Sequence, residues 1–210
     1  NTTGSNNTAN GFGSMFNNIN GSNNAATGLE SLNKNTNGRF NTANGSRVLY
    51  SNTTGSDNTS TGYASLYRNV TGSANTAFGS RSLFENTGSN NTAIGYEALG
   101  ANNTGSLNTA IGYKAGANNQ GSSNIFIGDN SCSSLTNASN TLCIGGSNPL
   151  ISGNFLNQRV LIDGTVVITG DLYVSGTIYE GNNSGDDSFD TLDEIASDER
   201  GDLSGQDFKA

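Results

Sequence analysis

The sequence predicts an all-β fold, a repetitive β-solenoid with about 17 residues per coil, and three features carry that prediction. Glycines recur at a fixed period, small and amide side chains align in columns, and large apolar residues are too few for a globular core. Gly11, Gly28, Gly45, Gly62, Gly79, Gly95, Gly112, Gly128 and Gly145 are spaced by 17, 17, 17, 17, 16, 17, 16 and 17 residues, giving nine units. A period of this size marks stacked units, each too small to bury its own apolar face. A second glycine column (Gly4, Gly21, Gly38, Gly55, Gly72, Gly88, Gly105 and Gly121) stands seven residues earlier in each unit.

Composition points the same way. The chain has no His, no Trp, one Pro and two Cys, and only 32% of it is hydrophobic. A compact monomer of 210 residues would bury most of its unfolded surface around large apolar side chains. Here the chain is either disordered or arranged so that small residues suffice. Alignment excludes disorder: Asn occupies the position four before the glycine in eight units (Asn7, Asn24, Asn41, Asn58, Asn75, Asn91, Asn108 and Asn124). Stacked about 4.8 Å apart, as neighbouring strands are, these amides form a hydrogen-bonded ladder. Two before the glycine the residue stays small (Ala9, Ala26, Ala43, Ser60, Ala77, Ala93, Ala110), as a narrow interior requires. Four after it stand Met15, Leu32, Leu49, Leu66, Leu83 and Leu99, the other inward face. Both 16-residue units lose their residue between that column and the next Gly-Ser, which makes that stretch a turn. Glu30, Arg47, Arg81, Glu97 and Lys114 share one column and Lys34, Arg68 and Glu85 another; both must face water. A solenoid whose coils touch only their neighbours satisfies every column. It spans residues 1–148 as nine coils.

The column just before the glycine reads Asn10, Thr27, Asn44, Thr61, Phe78, Ile94, Ile111, Ile127, Ile144. In a strand it points opposite to the Ala column, so Phe78, Ile94, Ile111, Ile127 and Ile144 form an outward apolar stripe. Such stripes mark interfaces, and burial against identical neighbours predicts an intertwined homotrimer, wetter along its polar first four coils. Pro149, unable to donate a ladder hydrogen bond, is expected to end the solenoid. Beyond it Gly164, Gly170 and Gly176 recur every six residues, as do Val160, Val166, Leu172 and Ile178, with Ile162, Ile168 and Val174 between. Residues 149–180 therefore read as a triple-stranded β neck that locks the oligomer, with Val166, Ile168, Leu172 and Val174 at the interface.

Residues 181–210 carry nine acids against Arg200 and Lys209, nearly the whole of the net charge of −8. Phe189, Leu192, Ile195 and Ala196 share a face, so one short helix is expected from Phe189 to Ala196, capped by Ser188 or Asp190. The tail is expected to dock a further fibre or virion component or simply to solubilise this end. The near-neutral body offers no basic face for nucleic acid, and no apolar run approaches a membrane span. Residue 1 already lies inside a repeat, which reads as a processed product or a fragment.

The run Asn91-Thr92-Ala93-Ile94-Gly95-Tyr96-Glu97-Ala98-Leu99, echoed from Asn108 to Ala115, resembles two families. One is the head domain of trimeric autotransporter adhesins of the YadA type, a left-handed β-roll of Asn-x-x-Ala-Ile-Gly repeats. The other is the Asn-Thr-Ala-Ile-Gly-Tyr repeat region of tail-fibre-like proteins. The resemblance covers roughly residues 1–145 and implies a homotrimer, extracellular, cell-surface or virion exposure, and a role in attachment. The period here is longer than the typical adhesin repeat, and neither a membrane-anchoring barrel nor a chaperone domain is recognisable after it.

Nothing in the sequence supports catalysis. Without His the usual base for a Ser or Cys nucleophile is missing, and the body's acids are isolated, so no glycosidase-like pair is visible. No cofactor is expected, and no metal: the acidic tail lacks the alternating Asp spacing of a calcium loop. Cys132 falls in the Leu column and Cys143 in the Ala column; both read as small buried hydrophobes, with a disulfide as the alternative. Tyr63, Tyr96 and Tyr113 share the column after the glycine, where they either stack on sugar rings or pack between coils and subunits. Thr8, Thr42, Thr59, Thr76, Thr92 and Thr109 also align, but the parallel rank from Asn10 to Ile94 breaks the flat surface an ice-binding solenoid needs. The expected function is an extracellular or virion fibre, structural and adhesive, that presents a repetitive surface to a cell-surface glycan or protein receptor. A purely structural filament or spacer is the alternative, and an ice-binding solenoid the less favoured one.

Overall fold

The computed structural model describes residues 2–157, 159–162, 179–181 and 189–191. The chain divides into two units, Asn1–Thr165 and Val166–Ala210. Unit 1 holds one sheet of eleven short strands in sequence order: β1 (Thr8–Asn10), β2 (Ala25–Thr27), β3 (Thr42–Asn44), β4 (Thr59–Thr61), β5 (Thr76–Phe78), β6 (Thr92–Ile94), β7 (Thr109–Ile111), β8 (Ile125–Ile127), β9 (Thr141–Gly145), β10 (Pro149–Asn154) and β11 (Arg159–Ile162). From β1 to β9 every pair is parallel and in register, so Ala26 sits on Ala43, Ser60 on Ala77 and Ala93 on Ala110. The predicted solenoid is present, with nine rungs bounding eight turns.

Only three residues of each coil are strand, because the chain turns a corner on either side of them. The first glycine column makes one corner, with φ between +119° and +138°. A Cβ at Gly62 would stand 2.7 Å from the Gly79 carbonyl, so any side chain there collides with the next coil. Three further columns adopt left-handed φ without glycine, among them Glu30 to Asn130 and the Leu column, where Leu32, Leu49, Leu66, Leu83 and Leu99 have φ of 49° to 51°. For L-residues that conformation costs roughly 1–2 kcal/mol each. Hydrogen bonds between coils at the same corners offset it: Glu30 N–H donates to Phe12 O at 2.8 Å and Leu32 N–H to Val48 O at 2.9 Å. The ladder therefore continues around the coil beyond the strands.

The interior is thin and closes without large side chains. Ala26, Ala43, Ser60, Ala77, Ala93 and Ala110 are buried from one side, and Met15, Leu32, Leu49, Leu66, Leu83 and Leu99 from the other. The Asn24-to-Asn124 column is buried and laddered as expected: Asn41 Nδ2 donates to Asn24 Oδ1 at 3.1 Å and to Gly55 O at 2.9 Å, while Asn58 N–H donates to Asn41 Oδ1 at 3.1 Å. A second buried ladder stands seven residues after each corner glycine. Asn35 Nδ2 donates to Asn18 Oδ1 (2.6 Å), Asn52 to Asn35 (2.8 Å), Asn69 to Asn52 (3.0 Å), Asn86 to Asn69 (3.3 Å) and Asn102 to Asn86 (2.9 Å). The longest link belongs to Asn86, in the first 16-residue coil. In the second short coil the ladder ends: Asn119 Nδ2 turns to Ala138 O, and Asn102 Oδ1 is the one buried side-chain oxygen without a donor among the described residues.

Toward the C-terminal end the columns exchange volume. Gly116 takes the Leu position and Phe126 the Ala position one coil on, and a Cβ at Gly116 would collide with the Phe126 ring. In the next rung Cys132 and Cys143 form a disulfide, with Cα atoms 6.2 Å apart, across the two inward columns. The two cysteines are buried as expected but not free, because a Leu-column and an Ala-column residue face each other across an interior only one side chain thick. The sheet continues past the last parallel coil through Pro149. This proline opens β10, which pairs antiparallel with β9 through an irregularity at Pro149/Ile151, and β10 then pairs antiparallel with β11. What ends after β9 is the parallel stacking, and the hairpin covers the open edge that β9 would otherwise present.

Unit 2 contains, among its described residues, one antiparallel pair, β12 (Tyr179–Gly181) with β13 (Phe189–Thr191). The helix expected from Phe189 to Ala196 thus begins as strand, since Phe189 pairs with Gly181; residues 192–196 lie outside the described residues, as does most of the hexad segment.

Two stability measurements test this interior. Asn69→Ala removes the donor to Asn52 Oδ1 and to Gly72 O, so at about 1–3 kcal/mol for each buried group stranded denaturant unfolding should show a loss of at least ~2 kcal/mol. The exposed Asn17→Ala should stay within about 0.5 kcal/mol. In a double-mutant cycle, Phe126→Ala should cost about 3–5 kcal/mol and Gly116→Leu should clash with the Phe126 ring. Combined, they recreate the Leu/Ala pairing of the other coils and should recover most of both losses.

Candidate contact face

In β5 to β9 the middle residue points inward, so the residues on either side of it point out. In-register pairing stacks Phe78 on Ile94, Ile94 on Ile111, Ile111 on Ile127 and Ile127 on Ile144. Phe78 is 59% exposed, Ile94 and Ile111 40% and Ile127 36%, while Ile144 is half-buried beside the terminal hairpin. The stripe is a continuous outward apolar rank four to five rungs long. In β1 to β4 the same rank is Asn10, Thr27, Asn44 and Thr61, so one strip of surface changes from polar to apolar midway. Val166, Ile168, Leu172 and Val174 lie outside the described residues.

Across the corner glycine runs the second candidate column. Tyr63, Tyr96 and Tyr113 are all exposed, and Tyr96 and Tyr113 stack with centroids 5.4 Å apart and planes 12° from parallel. Tyr63 stands between Ser46 and Ser80 in its column and has no ring to stack on. The structure therefore brings two of the three tyrosines together.

Beside them the charged column is an ion-pair ladder between coils. Glu30 pairs with Arg47 (2.9 Å), and Glu97 pairs with both Arg81 (3.4 Å) and Lys114 (3.5 Å); in the neighbouring charged column Arg68 pairs with Glu85 (3.2 Å). In-register stacking would set like charges one rung apart, so the alternation of sign is needed to keep the wall from repelling itself. At this exposure solvent screens the pairs, and their main effect is to keep like charges from stacking.

The same wall carries a column of aromatic rings. Five residues after the corner glycine, Tyr50, Tyr67 and Phe84 form a continuous ring stack, with centroids 5.1 and 5.2 Å apart and planes within 7° of parallel. Lys34 Nζ sits 5.0 Å over the Tyr50 ring and Arg81 Cζ 4.8 Å over Phe84, a cation at each end of the stack. The column is interrupted by Asn33 on one side and by Gly100 and Ala117 on the other, which is why its three rings do not stand out in the sequence.

Among the described residues no group of three or more His, Cys, Asp or Glu gathers as metal ligands, and no helix is long and apolar enough to cross a membrane. No protein-family model, curated protein or solved structure matches this chain.

The electrostatics of the wall give one pH prediction. The Glu97 carboxylate accepts a hydrogen bond from the Tyr96 phenol, and that bond, reinforced by the carboxylate's charge, holds the phenol above its usual range. Lys114 is likewise raised, chiefly by its hydrogen bond to Tyr113. Both groups gain affinity for the proton on folding, so their contributions are complete at neutral pH and vanish as alkaline pH passes the folded values. In an alkaline absorbance titration Tyr96 should ionise later than an ordinary phenol at about 10. The late component should be absent in Tyr96→Phe and should shift to lower pH in Glu97→Gln.

Proposed function

We propose that this chain is the repetitive segment of an extracellular or virion fibre, trimeric, structural and adhesive, with no catalytic role. The observation that carries the reading is the outward rank of Phe78, Ile94, Ile111 and Ile127: an apolar stripe stacked rung on rung along the solenoid axis. Scattered apolar residues on a surface need no partner, but a ladder of them stacked rung on rung does. A homotrimer covers three such stripes at once with identical chains. Resemblance of the Asn-Thr-Ala-Ile-Gly-Tyr runs to trimeric adhesin heads and tail-fibre repeats supports the same assembly and gives its purpose, attachment to a cell-surface glycan or protein.

Two further features support it. A solenoid of parallel rungs resists extension along its axis through every inter-coil hydrogen bond, which suits a load-bearing shaft. The Cys132–Cys143 disulfide suits an oxidising location, since such bonds persist outside the cytosol and are rare within it. In this reading the stripe faces the partner chains, the tyrosine and charged walls face outward, and the acidic segment after the neck is where another fibre or virion component docks.

Light scattering coupled to size-exclusion chromatography tests the assembly. The expected mass is three times the 21.6 kDa chain, and the double variant Ile94→Asp, Ile111→Asp should run as a monomer with its solenoid circular dichroism intact. A monomeric parent chain would overturn the trimer.

A further inference from the structure

The ring stack stops at Phe84, and the space beyond it is a cavity of about 270 Å³ lined by Arg81, Phe84, Glu85, Glu97, Gly100, Ala101, Ala117 and Asn118. The geometry points to this cavity as a binding subsite for one uncharged pyranose ring of a glycan. The inference deepens the attachment reading and rests on it.

Three columns build the site across three successive coils. The ring column supplies Phe84 and then Gly100 and Ala117, so two rungs, about 10 Å of the wall at ~4.8 Å each, hold no ring. Tyr67 covers one face of Phe84 at 5.2 Å, which leaves no room between the rings, so the Arg81 guanidinium 4.8 Å from the centroid lies over the other face. Glu97 holds that guanidinium through Arg81 Nε at 3.4 Å. The floor of the cavity is thus a flat, preorganised cation-on-ring platform. Around it stand acceptors: the Glu85 carboxylate, the Glu97 carboxylate, and Asn118, whose Nδ2 is committed to Ser133 O at 2.9 Å, leaving its oxygen to accept.

The chemistry of the occupant follows from charge and shape. Each carboxylate already has a cation, Glu85 from Arg68 at 3.2 Å and Glu97 from Arg81 and Lys114, so neither a free cation nor an anion gains by entering. A neutral ligand with several hydroxyls gains most, since hydroxyls donate to ionised carboxylates and accept from the guanidinium in charge-assisted hydrogen bonds. The platform asks for a flat C–H face, and a volume below the roughly 300 Å³ at which drug-sized pockets begin admits a single ring. A pyranose has both properties, a C–H face and a rim of hydroxyls. It would lie over the Arg81 guanidinium that caps the Tyr50–Tyr67–Phe84 stack.

Saturation-transfer NMR on the full disulfide-bonded chain tests the subsite, with the methyl pyranosides of glucose, galactose, mannose and N-acetylglucosamine as probes. At least one should receive saturation. Ala117→Tyr, which fills the cavity from a position that already carries a Cβ, should weaken that binding at least tenfold. Glu85→Ala, a change at the half-buried rim that leaves the solenoid interior untouched, should also weaken it and serves if Ala117→Tyr does not fold. No transfer to any of the four probes, or equal transfer in both variants, overturns the proposal. Glycan-array binding of the parent chain separates the two readings. Array binding that survives Ala117→Tyr leaves attachment standing and removes this subsite; array binding lost with the methyl pyranoside supports both.

Discussion

Every residue of the solenoid sits on its own repeat equivalent one rung away, and the rest of the structure follows from that constraint. Inter-coil hydrogen bonds run around the coil, through corners as well as strands, so each coil is fixed in register by its neighbour at many points. Register at this density forbids drift. A residue type is acceptable at a position only if it tolerates a copy of itself, or of the residue next in its column, at strand spacing. Asparagine meets the condition better than any other buried polar residue, because its amide donates to the copy on one side while its oxygen accepts from the copy on the other. The two buried ladders at Asn24 and Asn18 stand where a larger protein would have aliphatic side chains, and they let a coil of 17 residues close around an interior one side chain thick.

The same constraint explains features that would be faults elsewhere. Leu residues in left-handed conformation are strained individually, yet the corner they make is repeated identically, so the ladder is intact and the strain is shared out evenly. Charges alternate in sign up the wall because identical charges would be stacked. Rings stack on rings at just over 5 Å since the rungs impose nearly that distance. A one-residue deletion shows the tolerance: the coil after Gly79 keeps its Asn86 link at 3.3 Å, whereas the coil after Gly112 loses the ladder and leaves Asn102 Oδ1 without a donor. That break lies one coil before the disulfide, so a covalent link takes up the restraint where the amide column gives out.

Much of this was legible in the sequence because columns are a one-dimensional signal. Period, inward Ala and Leu ranks, the Asn24 ladder and the outward isoleucines are all read by counting from the corner glycine. Features that cross columns were not legible. Cys132 and Cys143 belong to different ranks, and their pairing depends on two faces meeting across the core, which spacing alone does not give. The Asn18 ladder is in principle countable, but asparagine fills the turns of this chain so densely that a second aligned column is hidden among the unaligned ones. The Tyr50–Tyr67–Phe84 stack is three residues long and bounded by Asn33 and Gly100, too short to register as a column. Phe189 misled through local propensity: its helical spacing from Leu192 and Ile195 competes with pairing to Gly181, and in a two-stranded ribbon the partner decides.

The outer rank carries the last consequence. Its inward neighbours are equally small from Ala26 to Ala110, so the core gives no reason for the change from Thr61 to Phe78 on the outside. A single uncovered sheet would favour Thr or Asn along its whole length, as in β1 to β4. Isoleucine from β6 onward fits a surface whose environment, not its own coil, sets the choice, and the switch happens within one rung. The charged wall changes in the same place: the ring stack ends at Phe84, the Tyr96–Tyr113 stack begins one coil later, and the cavity lies alongside. A repeat able to copy one coil nine times has instead written two versions of its outer strand rank on one backbone, polar from β1 to β4 and apolar from β5 onward, beside a wall of rings and paired charges. In the proposed fibre, the side bearing the stripe would hold the partner chains and the other side would be left free to bind.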